Sequence, residues 1–336
     1  MTAPMPDVEL LEADQIRGNG AFAAAWERAA LATPGISGLC SGPAWSLSAH
    51  LHLHGRRQAW VARSGGHFAA LALGTWFDGN PWIQPWEAAW CFGSPAVGPD
   101  PAAAAALLAV LAAPLRRQGY PLLLGGLPSS GPLREAVLQA MAPLGTVREP
   151  PLFRSDCVLA DLSGGHEAWL AARSPKFRAG LRRSARLAEA EHVYWEELRP
   201  DPSALESLWP RILEVEARCW KHAAGESIFQ HGNHVAFYLD LLRRSARTGG
   251  VRLVLARRDG RDLGYCFGIT AGGCYRGLQM SFDASCERLG LGAATQERML
   301  RFLAEEGVSW ADFGMDIDYK RRWCGGLLRL SGLVVS

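Results

Sequence analysis

Apolar positions recur at helical spacing over 21–32, 44–54, 101–118 and 133–143, and strand-like runs fall at 58–62, 68–77 and 121–124. The first 160 residues therefore predict an α/β unit. A second set follows, with helical windows at 165–190, 203–219 and 234–247 and strand patterns at 251–256, 263–270 and 273–281. Asp259 and Gly260 supply the turn of a hairpin between the first two of those strands. A helix over 290–306 and strands near 309–313 and 327–335 complete the pattern. Glu149-Pro150-Pro151 and Ser163-Gly164-Gly165 mark a boundary, predicting one half over 1–155 and another over 156–336.

Length agrees with that division, since 336 residues at about 150 per domain make roughly two domains. The hydrophobic fraction of 49% against 20% charged residues is that of a folded chain. A net charge of +2 supplies no global field for nucleic acid or membrane surfaces. Eight cysteines occur without a C-x-x-C pair, which supports neither a zinc site nor a disulfide framework and points to a reducing cytoplasm. The N-terminal stretch through Asp14 carries acids where a signal peptide needs basic residues, and the longest apolar run, 102–113, is too short to span a bilayer. Function is therefore to be sought in sites.

Three constellations could carry chemistry. In 283–303 a strand ends, Gly290 and Gly292 follow, and a helix begins; glycines there let a ligand approach the backbone, and the first helical turn offers unpaired N–H groups to an anion such as a diphosphate. In 310–323 Asp312, Asp316 and Asp318 stand beside Tyr319, Lys320, Arg321 and Arg322 just after a strand, a grouping suited to proton transfer or charge stabilisation and equally to a solvated salt-bridged loop. In 172–191 Arg178, Arg182 and Arg186 recur every four residues on one helical stripe, fit for a phosphate or for solvent. The chain has 32 arginines and only three lysines, Lys176, Lys221 and Lys320. An ammonium is a compact, titratable point charge, so each lysine is a candidate for a chemical role. His50, His52 and His54 lack a carboxylate partner for a metal, and Trp82, Trp86 and Trp90 fit core packing better than an acyl slot.

Five segments in order, SPKFR at 174–178, CWK at 219–221, the stretch 237–269, FDASCERLGLGA at 282–293 and DFGMDIDYKRRW at 312–323, resemble the acetyltransferase-like domain of the GNAT superfamily found in CelD/BcsL-type proteins, related to Fem-type peptidyltransferases. All three lysines fall inside them. The resemblance implies an α/β (α+β) chain of two GNAT-like halves, each a mixed, mostly antiparallel sheet flanked by helices. It implies an N-acyltransferase that uses acyl-CoA as donor, acetyl or longer, a primary amine of a small molecule, sugar or peptide as acceptor, and no metal. The CoA diphosphate would sit on Arg288, Leu289, Gly290, Leu291, Gly292 and Ala293, with Glu287 standing where the family opens this loop with Gln or Arg. Pantetheine would run past Gln279 and Met280. Lys320 would stabilise the oxyanion, Asp316 or Asp318 would accept the amine proton, and Tyr319 would protonate the leaving thiolate. Lys176, Arg178, Trp220 and Lys221 would contact substrate. Two further classes are weighed against this one: a Fem-like transferase using aminoacyl-tRNA, disfavoured by the near-neutral charge, and a non-catalytic GNAT-fold binding protein.

Overall fold

The computed structural model describes residues 8–336, so the first seven residues of the segment read against a leader lie outside the described residues. Two compact units divide the chain: Cys157–Leu327 forms one, and everything before it, together with 328–336, forms the other.

In the first unit, strands β1 (Glu9–Glu12), β2 (Gln58–Ser64), β3 (His67–Thr75), β4 (Pro81–Gln84), β5 (Ala96–Val97), β6 (Leu122–Pro128) and β7 (Val147–Arg148) build a sheet in which β4 meets β6 in parallel and other neighbours run antiparallel. Helices Gly20–Ala32 and Pro101–Arg117 cover it, and Leu107, Leu108 and Leu111 pack on the buried leucines of β6. Between β6 and β7 lies the C-terminal strand Leu330–Val335, antiparallel to both. The sequence reading placed these last residues in the C-terminal half. Their side chains at Leu330, Leu333 and Val335 are fully buried, and the first unit's core is where that apolar surface is removed from water. Trp86 belongs to the core too, its indole N–H bonded to the carbonyls of Trp60 and Leu71. Of the histidine trio, His50 accepts a hydrogen bond from the half-buried Arg57 at 3.1 Å, and His54 accepts one from the Ala88 N–H at 3.3 Å.

The second unit's sheet takes β8 (Cys157–Asp161), β9 (Tyr194–Leu198), β10 (Val251–Arg258), β11 (Arg261–Ala271), β12 (Cys274–Phe282), β13 (Trp310–Met315) and β14 (Gly326–Leu328) in the order β14-β8-β13-β12-β11-β10-β9. The β10–β11 turn has positive φ at both Asp259 and Gly260, the hairpin geometry that dipeptide predicts. The single window expected over 165–190 is two helices, Gly165–Ala171 and Pro175–Ala190, because Pro175 cannot continue a helix and Ser174 caps the second by accepting from the Phe177 N–H. Helix Leu291–Glu305 crosses the sheet and buries Met299, Leu300, Phe302 and Leu303 in its core. Both sheets are thus mixed and mostly antiparallel, with the parallel pairs β4–β6 and β12–β13 and helical cover, the architecture expected of two GNAT-like halves.

Candidate active site

The parallel pair β12–β13 holds only from Cys274–Trp310 to Arg276–Asp312. Beyond that point β12 carries a bulge at Leu278, set between the pairs Phe267–Gln279 and Gly268–Gly277, and the two strands diverge. A cavity of about 360 Å³ opens in the splay, with walls from β12 (Gln279, Met280), β13 (Phe313) and the helix start (Gly290, Gly292, Ala293). Gln279 donates to the Tyr238 hydroxyl at 2.9 Å, which orients its amide.

Gly290 has φ +66 and precedes the helix Leu291–Glu305, whose start lines the end of the cavity; the Ala293 and Ala294 N–H groups bond the Gly290 carbonyl, so Leu291 and Gly292 are the first-turn N–H groups a ligand could reach. A Cβ at Gly290 would run into the Ser184 hydroxyl, and one at Gly292 would stand 3.0 Å from the Phe282 ring and 3.1 Å from the Met280 methyl. Glycine is favoured at 290 by both its dihedral and this close contact, and at 292 a side chain fits only if Phe282 or Met280 gives way by a few tenths of an ångström. Leu289 and Leu291 are buried in the core, which leaves only their backbone for a ligand. Arg288 is exposed and pairs with Glu191 at 3.4 Å; it is not among the cavity walls.

Two of the three lysines line the cavity, and each is tethered to one of the diverging strands. Lys221 Nζ donates to the Met280 carbonyl at 3.1 Å and lies 3.7 Å from the buried Glu216. Burial alone would raise the Glu216 carboxyl, yet the Lys221 charge and hydrogen bonds from Ser227 and Tyr265 hold it below its ordinary value. Lys320 Nζ donates to the Phe313 carbonyl at 2.7 Å, and burial followed by the nearby Arg276 cation lowers its pKa. Tyr319 also faces the cavity, and burial raises its pKa, so the hydroxyl keeps its proton.

The other expected site residues stand elsewhere. Asp316 is engaged by Arg321 at 2.6 and 3.1 Å, which lowers its pKa, and Asp318 is almost wholly exposed; neither lines the cavity. The short helix Asp318–Arg321 sets Lys320 and the half-exposed Tyr319 on the cavity wall and leaves the carboxylates off it. Lys176 is exposed at the start of its helix, Arg178 half-buried, and Trp220 exposed beside Lys221.

One pair escaped the sequence reading. Arg276 and Asp312, the last partners before the splay, form a buried ion pair at 2.6 Å. Asp312 also accepts from the Gly314 N–H at 2.7 Å, and Gly314 has φ +77. The signal was present: an arginine and an aspartate inside otherwise apolar strands are rare enough to ask what pairs with them.

Solved structures share this architecture at low identity. A conserved protein of unknown function from Bacteroides thetaiotaomicron aligns over 94% of this chain and 97% of its own, with 14% identity and TM-score 0.63. FemX aligns over 97% and 96% with 11% identity and TM-score 0.62. A tandem GNAT protein from the clavulanic acid biosynthesis pathway aligns over 98% of both chains with 15% identity and TM-score 0.51. No curated protein matches this chain in sequence. The two-unit fold is thus shared with these structures. Residues 175–321 match the family model described as an acetyltransferase (GNAT) domain.

Proposed function

We propose that the protein is an N-acyltransferase that moves an acyl group from acyl-CoA to a primary amine. The observation that carries this reading is the cavity in the β12–β13 splay, which ends on glycine-bounded helical N–H groups. A thioester's extended arm fits between the strands, and its diphosphate fits the helix start, where aligned peptide dipoles favour negative charge. The amine nitrogen attacks the thioester carbon, a C–N bond forms, the C–S bond breaks, and Tyr319 gives the thiolate its proton. Lys320 stands beside the reacting carbonyl and supports the developing oxyanion. With Asp316 and Asp318 outside the cavity, neither is retained as the base.

A second reading has one observation in its favour. Among the described residues Arg182, Arg183 and Arg186 are exposed with no carboxylate at ion-pair distance, and Ser184 of the same helix lies against Gly290. Such a cationic stripe beside the cavity also fits aminoacyl-tRNA. Release of free thiol from acetyl-CoA or a longer acyl-CoA, assayed over a panel of amines, tests the first reading. Turnover lost in Lys320→Ala with an unchanged melting profile supports it; turnover retained in that variant contradicts the placement of the chemistry.

A further inference from the structure

We propose that Lys320 is the base of the reaction and that the Arg276–Asp312 pair is the positioning device that sets its place and its charge. The proposal rests on the acyl-transfer reading and deepens it.

Acyl transfer to an amine needs an acceptor for the amine's proton, and among the described residues no carboxylate lines the cavity. The titratable groups on its walls are Lys221, Cys266, Tyr319, Lys320 and Arg322. Burial pushes the Cys266 thiol up to about 12 and raises Tyr319, so both hold their protons, and a guanidinium does not give one up. Lys221 is tied to the Glu216 carboxylate and the Met280 carbonyl. Lys320 is placed differently.

A Cβ at Gly314 would lie 3.3 Å from Arg276 Nη2 and 3.7 Å from Lys320 Nζ, so two cationic heads converge on one glycine. The single carboxylate there, Asp312, is already committed to Arg276 Nη1 and to the Gly314 N–H. From β8, Cys157 stands 3.3 Å from Arg276 with its thiol pushed up to about 11, and beyond it the Cys324 thiol is pushed up to about 12, so both are neutral. Asp316 is occupied by Arg321. On its own helix Lys320 faces only the Tyr319 ring, 5.9 Å from its centroid. What remains for Nζ is the Phe313 carbonyl, which accepts from it at 2.7 Å. The same pair fixes this geometry, because Asp312 holds Gly314 at positive φ and thereby aims the preceding carbonyl at Lys320.

The proton cycle closes without another reactant. As the C–N bond forms, Lys320 takes the amine's N–H proton and becomes an ammonium beside the oxyanion, so one residue serves as base and then as charge stabiliser. The intermediate collapses, the C–S bond breaks, Tyr319 protonates the thiolate, and the Lys320 ammonium returns its proton to the Tyr319 oxygen. The products are an amide and a free thiol.

Three lysines make the test direct. In protein labelled with ¹³C-lysine, the three ε-carbon signals are followed by NMR across the pH range, Lys320→Arg identifies its own signal, and Nα-acetyl-lysine amide is the standard. The Lys320 signal is expected to titrate below the standard, to move lower in Asp312→Asn, which removes a negative charge, and to move higher in Arg276→Gln, which removes a positive one. Titration at or above the standard, or movement of both variants in one direction, overturns the proposal. Asp312→Asn keeps one carbonyl oxygen, for Arg276 or for the Gly314 N–H, and the titration of the unsubstituted chain against the standard decides the matter even where neither variant folds. The titration needs neither donor nor acceptor: a low-titrating Lys320 in a chain without thiol release would refute the reaction alone, and thiol release with a high-titrating Lys320 would refute the base alone.

Discussion

Gly290→Ala is the substitution whose cost can be worked most fully. The residue sits at φ +66 and ψ 33, a left-handed conformation that costs an L side chain about 1–2 kcal/mol. The new methyl would also meet Ser184, whose Cβ stands 3.2 Å away and whose hydroxyl is closer, and crowding of this kind costs about 1 kcal/mol or more. The sum is roughly 2–3 kcal/mol, which for a unit of this size lowers its melting midpoint by about 4–12 °C. Calorimetry of the full chain reads the shift. Gly290→Ala combined with Ser184→Gly removes the crowding and leaves the dihedral cost, so it should sit measurably closer to a Ser184→Gly reference than Gly290→Ala does to the natural chain. Because the helix N–H groups turn with residue 290, the midpoint rise given by CoA should shrink as well. A midpoint within 1 °C of the natural chain would refute the assignment of strain to this position, with 1 °C corresponding to roughly 0.3–0.5 kcal/mol here.

Two further outcomes follow from the packing. His166 bonds Glu297 at 2.7 Å; burial lowers a histidine pKa, but this carboxylate outweighs it and raises His166, while Glu297 is held below its ordinary value despite burial. The raised histidine stabilises fully below its unfolded value of 6.5 and loses that contribution as pH rises through its folded value; the lowered carboxyl contributes above 4.5 and loses it in acid. The pair should therefore add roughly 1.5 kcal/mol between those limits, read as a fall in denaturant midpoint from pH 6 to pH 8.5 that Glu297→Gln abolishes. Deleting residues 328–336 should unfold the first unit, since burial of Leu330, Leu333 and Val335 contributes about 1.5–3 kcal/mol each against a domain stability of about 5–15 kcal/mol. Calorimetry should then lose one transition, and two surviving transitions would contradict the shared strand.

Much of the site was legible because its chemistry is local in sequence. Gly290 and Gly292 announce a close backbone approach at a strand-to-helix junction, and the scarcity of lysine singled out Lys221 and Lys320, which the fold brings to one cavity. Direction along a short helix was not legible. In 316–321 every residue is polar or amphipathic apart from Ile317, and nothing in the pattern says that Tyr319 and Lys320 reach the cavity wall while Asp316 closes on Arg321. The Arg276–Asp312 pair needs strand register across a gap of 36 residues, which periodicity does not supply. The return of 330–335 to the first sheet was hidden for the same reason, since an apolar strand fits either sheet until its neighbours are known.

The central claim, that the β12–β13 splay receives a thioester donor, is tested most directly by isothermal titration of the purified chain with acetyl-CoA, a long-chain acyl-CoA and CoA itself, repeated with Gly292→Val. In that variant the side chain would start 3.0 Å from Phe282 and project into the cavity. The account predicts saturable binding of at least one thioester that the variant weakens at least tenfold while its melting midpoint with no ligand remains high enough to show a folded chain. No binding of any of the three at millimolar concentration, or binding that the filled cavity leaves unchanged, would contradict it.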